Sequence, residues 1–139
     1  MSTKIRAEVS KKNEYWIEKH RYYELKHFCL QYPIWRQAYV ALESLGGRPK
    51  DLAAFSKGNS NADPTAKCAE ARMFYSERMS MLEKVAKETD EVLWIYILKG
   101  VTEGCSYGTL RTKDNIPCCK DTYYKLQRKF YWLLNKVRN

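Results

Sequence analysis

A chain of 139 residues suffices for one domain with a true core or for two small helical lobes, and excludes a pair of large domains. Apolar residues make up 45% and charged residues 29%, an ordinary globular balance, and no apolar run reaches the ~20 residues needed to span a bilayer. The net charge of +9 sits at the two ends: residues 1–50 carry ten Lys and Arg against five acids, residues 101–139 carry eight against three, and the middle is nearly neutral. Basic ends suit a polyanionic partner. A basic surface that only aids solubility has the same balance, so charge alone does not choose. Aromatic residues, at 14%, require many buried rings.

Residues 1–12 are polar, without periodicity, and expected to fray. From Glu14 a helical pattern begins, with Tyr15, Ile17, Tyr22, Leu25, Phe28, Cys29 and Tyr32 largely at spacings of three, four and seven and Asn13 as the expected N-cap. Pro33 stops this helix near Gln31 and fits the first turn of the next, whose stripe is Trp35, Ala38, Tyr39, Leu42 and Leu45 before the Gly46-Gly47 stop. The expected domains are an N-terminal helical hairpin over 1–46, a Gly/Pro/Ser/Asn-rich linker over 47–63 with one short turn at Asp51–Phe55, and a helical domain over 64–139.

Asp63-Pro64 is a helix start with N-cap and Pro at the first helical position. Ala66, Ala69, Met73, Ser76, Met79, Leu82 and Ala86 continue a helix of about 25 residues by their 3.6 period. Thr89 or Asp90 caps a further helix through Glu103, with Gly104 near its end. Ser106 caps a short helix to about Lys113, Asp114–Pro117 forms a turn, and the last helix spans Cys119–Val137. No stretch alternates with period two, so the fold class is all-α.

Short helix, tight turn and longer helix, over about 105–137, is the outline of a helix-turn-helix. Leu110 and Ile116 are placed to hold its two helices together. On the last helix Tyr123, Leu126, Phe130, Leu133, Leu134 and Val137 form the apolar stripe. Lys120, Asp121, Tyr124, Lys125 and Arg128 share the opposite side. Such a face supplies cations for phosphates and guanine edges and polar groups for the major groove. Thr109, Arg111, Thr112 and Lys113 lie where the preceding helix approaches the backbone. A merely solvated amphipathic helix would carry the same charges; the near absence of acids and the preceding turn favour the binding reading.

The segment from about Met81 to Asn139, with YGTLRTKDNIPCCKDTYYKLQRKFYWLL at its centre, resembles the C-terminal part of small phage and prophage transcriptional regulators of the RinA/ArpU type. Their helix-turn-helix is similar to the DNA-binding region 4 of sigma factors. The matching positions are Tyr107 and Leu110, then Ile116, Pro117, Thr122, Tyr123 and Tyr124, then Arg128, Phe130 and Leu133. The resemblance implies a groove-facing set of Lys120, Asp121, Tyr124, Lys125 and Arg128. Cys118-Cys119 departs from the pattern, since Ser or Thr usually opens the recognition helix. The block YWIEKHRYYELKHFCLQYPIWRQAY also looks like prophage proteins of Gram-positive gut bacteria.

The remaining constellations are weak. Five cysteines without an export signal read as reduced thiols in the cytoplasm of a bacterial host, and adjacent Cys118 and Cys119 are poor co-ligands for zinc. His20, Glu24 and His27 share a helix face, a spacing that arises readily by chance. The sequence contains no phosphate-binding loop, nucleophile elbow or HExxH, so no enzyme, cofactor or metal is expected. The expected function is sequence-specific binding of double-stranded DNA, as a phage-derived regulator, with a homodimer left open and no membrane partner. The alternative is a phage inhibitor of a host polymerase or CRISPR nuclease, for which Trp16, Tyr22, Tyr23, Trp35 and Tyr39 would have to form an exposed patch; composition favours the core for these rings.

Overall fold

A computed structural model describes residues 12–45 and 64–138. Among them every regular element is a helix: α1 (Lys19–Cys29), α2 (Tyr32–Leu45), α3 (Pro64–Thr89), α4 (Trp94–Glu103), α5 (Tyr107–Asp114) and α6 (Lys120–Arg138). The class is all-α, as the periodicity predicts. The expected linker 47–63, its short turn, and all but the last residue of the 1–12 stretch lie outside the described residues.

By contact the chain forms two compact units, divided differently from the expected hairpin, linker and bundle. One unit joins α1 to everything from Leu82 onward; the other comprises Tyr32–Met81. The cause is the buried face of α1, Tyr22, Leu25, Phe28 and Cys29, which packs on α4 and α6. Tyr22 meets Tyr131 edge-on at 5.1 Å between ring centroids, and the Arg138 guanidinium lies 4.0 Å from the centroid of the Phe28 ring. Polar contacts close the seam: Arg21 Nε donates to Asn135 Oδ1, and Glu24 accepts ion pairs from Arg21 and, at 3.5 Å, from Arg138.

The start of α1 falls later than Asn13 suggests. The Asn13 side chain accepts the Tyr15 amide at 2.8 Å and closes only a turn. Glu18 is the N-cap, its carboxylate accepting the amides of His20 and Arg21 at 2.9 and 3.2 Å. A carboxylate serves here as a short Asx-type side chain would, satisfying amides that the first turn leaves open.

Within the Tyr32–Met81 unit, Leu42 and Cys68 are buried together with Ala71 and Tyr75 packed on them, and the Cys68 thiol donates to the Leu42 carbonyl at 3.5 Å. Further along α3 the buried residues are Leu82, Val85, Ala86 and Thr89. The inner stripe therefore runs through residues 68, 71 and 75; Ala66, Ala69 and Met73, which mark the helical period in the sequence, are exposed. Buried Thr89 returns its hydroxyl to the Val85 carbonyl at 2.8 Å. Asp90 accepts the amides of Val92 and Leu93 at 3.0 and 2.7 Å, so it caps a turn and α4 begins only at Trp94, three residues later than that cap predicts.

The centre of the first unit is the approach of α4 to α6. Ile97, Val101, Tyr123, Phe130 and Leu134 are all 2% exposed or less. Gly100 faces Tyr123 across this approach: a methyl group there would overlap the Tyr123 hydroxyl and stand 3.2 Å from its ring carbon Cζ. Gly104 then ends α4 at φ +70°, a left-handed conformation that glycine adopts without a Cβ penalty, and the Cys105 amide reaches back to the Gly100 carbonyl at 3.1 Å.

Gly100→Ala is expected to lower stability by roughly 1–3 kcal/mol, the usual cost of overpacking a filled core. Adding Tyr123→Phe, which removes the overlapping oxygen, is expected to recover part of that loss. Urea denaturation of the two variants beside the parent chain measures both effects; an unchanged midpoint for Gly100→Ala would contradict the close approach.

Candidate nucleic-acid interface

Helix α5 is set by its ends. Ser106, in extended conformation, accepts the Thr109 amide on its hydroxyl at 3.2 Å. At the other end Asn115 adopts φ 54°, a left-handed position that Asn tolerates better than most residues. The Leu110 carbonyl accepts both the Asn115 amide and, at 3.3 Å, that of Ile116. Leu110 and Ile116 are both fully buried, in the roles expected of them. Asp114 belongs to the helix and not to the turn. Both its oxygens accept from Lys99 of α4 at 2.9 Å, and this pairing holds the Lys99 ammonium above its usual pKa.

The link from α5 to α6 is held by two tyrosines. Tyr107 donates its hydroxyl to the Cys118 carbonyl at 2.6 Å, and its amide donates to the Tyr124 hydroxyl at 3.2 Å. Tyr124 also meets the Tyr123 ring edge-on at 5.1 Å. These contacts fix the α6 N-terminus against the start of α5.

Cys119 stands just before α6, where Ser or Thr was expected. Its carbonyl accepts the first helical amide, that of Tyr123, at 3.0 Å, and its thiol lies 3.2 Å from the Thr122 hydroxyl. Hydrogen bonds from the Thr122 hydroxyl, and then from the Thr122 backbone, lower the Cys119 pKa. The sulfur thus occupies the capping position that an oxygen usually fills. Half-buried Cys118 is shifted the other way, by burial first and then by the neighbouring Cys119.

The packing side of α6 holds Tyr123, Phe130, Tyr131 and Leu134, all buried, with Leu126 and Leu133 half-buried. Val137, expected inside, is 54% exposed. Tyr131, missed by the sequence reading, enters the core through Tyr22; only its place in the run Phe130-Tyr131-Trp132 hinted at burial.

The opposite side is where the expected contact residues gather. Lys120, Asp121 and Lys125 are exposed, Tyr124 and Arg128 half-buried. Lys120, Asp121, Tyr124 and Arg128 line one open depression of about 240 Å³. Arg128 carries a buried Nε with no hydrogen-bond partner among the described residues. Among those residues Lys120, Asp121, Lys125 and Arg128 form no salt bridge. On α5, Arg111 and Lys113 are exposed, whereas Thr109 is half-buried and engaged with Ser106 through both its amide and its hydroxyl. Tyr124 and Thr109 therefore have structural duties that the sequence reading did not assign.

The other constellations do not assemble. His20, Glu24 and His27 are exposed, but Glu24 is taken by Arg21 and Arg138, and among the described residues no group of three His, Cys, Asp or Glu is placed to hold a metal. Of the rings considered for a surface patch, Tyr22 and Trp35 are buried and Trp16, Tyr23 and Tyr39 half-buried, because folding draws them against other side chains. No described helix is long and apolar enough to cross a membrane. No protein-family model matches the chain, and neither a curated protein nor a solved structure is significantly similar to it.

The thiols should separate in reactivity, since the thiolate is the nucleophile. Exposed Cys119, with its lowered pKa, is expected to react with iodoacetamide first and at a lower pH than an ordinary thiol. Buried Cys29, raised by desolvation, and buried Cys68 are expected to react last. Peptide mass spectrometry across a pH series reads the order; Cys29 labelled ahead of Cys119 in the folded chain would refute it.

Proposed function

We propose that this chain binds double-stranded DNA through a helix-turn-helix formed by α5 and α6, and acts as a transcriptional regulator of the phage type that its sequence resembles, in a bacterial host cytoplasm. The observation that carries the reading is the cationic side of the first turns of α6, which forms no salt bridge among the described residues and is presented by a helix whose other side is locked in the core. A major groove about 12 Å wide admits one α-helix, and the N-terminal residues of a recognition helix are the ones that reach base edges. Lys120, Asp121, Tyr124, Lys125 and Arg128 occupy those positions. Exposed Arg111 and Lys113 of α5 supply charges for the flanking phosphates. A cation with an internal partner would have to break that pair to bind; among the described residues these cations form no salt bridge.

An inhibitor that works by docking on a host protein would need an exposed aromatic anchor, and the rings considered for that role are buried or half-buried.

Fluorescence anisotropy with a labelled duplex tests the proposal. Raising salt from about 50 to about 200 mM is expected to weaken binding on the order of a thousandfold, as counterion release requires for several phosphate contacts. Lys125→Glu, at an exposed site, is expected to weaken binding about tenfold and to flatten the salt slope by about one, with an unchanged melting temperature. A chain that ignores duplex DNA at low salt would end this reading.

A further inference from the structure

The depression on α6 contains one group that binding to phosphates does not call for. Asp121 is exposed and lines the depression beside Lys120, Tyr124 and Arg128. It is the only acid on α6, among six Lys and Arg. An anion at this position repels the polyanion that the rest of the face attracts, so its presence lowers non-specific affinity. The other acid of the helix-turn-helix, Asp114, is engaged with Lys99. Asp121 has no salt bridge among the described residues.

What a carboxylate does well in a major groove is accept from the N4 amino group of cytosine, while Arg and Lys donate to O6 and N7 of guanine. The depression brings that acceptor together with two such donors, Lys120 and Arg128. Its volume, about 240 Å³, lies below the ~300 Å³ at which sites enclosing a small molecule begin, and it is open, as suits contact with a base edge.

We infer that this depression reads a G·C base pair, with Asp121 accepting from the cytosine amino group and Lys120 and Arg128 donating to guanine acceptors beside it. The inference rests on the duplex-binding reading above and adds its base preference. Tyr124, held by the Tyr107 amide, is a positioning residue that fixes the depth of the depression.

Asp121 also sits in the first turn of α6, where an acid favours the helix dipole. A purely local role of that kind would affect stability and leave base preference untouched. The test is selection of binding sites by the full chain from a random duplex pool, run in parallel for the parent, Asp121→Asn and Asp121→Glu, with melting temperatures recorded for each. The parent is expected to enrich a position fixed as G·C. Asp121→Asn is expected to lose roughly tenfold of that preference while binding unselected duplex more tightly, and Asp121→Glu, which keeps the acceptor, to retain it. Identical pools from parent and Asp121→Asn would overturn the inference, as would a parent that binds duplex without any base preference; both leave duplex binding itself standing. A parent that binds no duplex removes the earlier reading as well, so the two failures are told apart.

Discussion

The hydroxyl of Tyr123 fills the space that a side chain at residue 100 would need, and the geometry of the C-terminal helices depends on that exchange. With glycine at the crossing, α6 approaches α4 closely enough for Tyr123 to be 1% exposed despite its size and its polar end. A buried phenol normally requires a partner. Here Gln127, one turn along α6, lies at 3.5 Å, and burial pushes the phenol pKa upward. The ring thus stays neutral and serves as a wedge. Because α6 is oriented by that wedge, its other face carries exposed Lys120 and Lys125 and half-buried Tyr124 and Arg128.

The short helix α5 is then a consequence of two fixed neighbours. Its eight residues would not hold a helix alone in water, where isolated helices need about 12–15 residues even in favourable sequences. Three contacts replace the missing length: the Ser106 cap, the burial of Leu110 and Ile116, and the Lys99–Asp114 pair to α4. That pair is partly exposed and of modest energetic weight. Its value is geometric, since it ties the end of α5 to the helix against which α6 is wedged. Tyr107 and Tyr124 close the figure from the opposite end.

The sequence displays the local part of this design and conceals the rest. Ser106, Gly104, Asn115 and Pro117 are punctuation with a direct mechanism, so the short helix and its turn are readable without coordinates. The start of α1 was misplaced because Asn13 is the stronger capping type, yet the Glu18 carboxylate takes the amides. Along α3 the alanines mark the period without fixing the register: Ala66 and Ala69 fit either face, and burial of Cys68 with Ala71 and Tyr75 sets it. The role of Gly100 has no sequence signal, because a mid-helix glycine reads as a weakness until the opposing tyrosine is seen. The grouping of α1 with α6 rests on pairs such as Arg21 with Asn135, 114 residues apart, which periodicity cannot reveal.

The candidate site shows the same division. Charge and spacing placed five residues on one side of α6, but they could not separate those with internal duties from those without. Tyr124 ties α6 to α5 through the Tyr107 amide, so its ring position is inherited from the scaffold. Half-buried Arg128 has its aliphatic stem and Nε inside the fold, and such a guanidinium loses less freedom on meeting a base than a lysine on a free stem. Lys120, Asp121 and Lys125 are exposed. On the proposed duplex-binding reading, exposed Lys125 governs affinity and salt dependence, and the depression lined by Lys120, Asp121, Tyr124 and Arg128 governs choice of sequence.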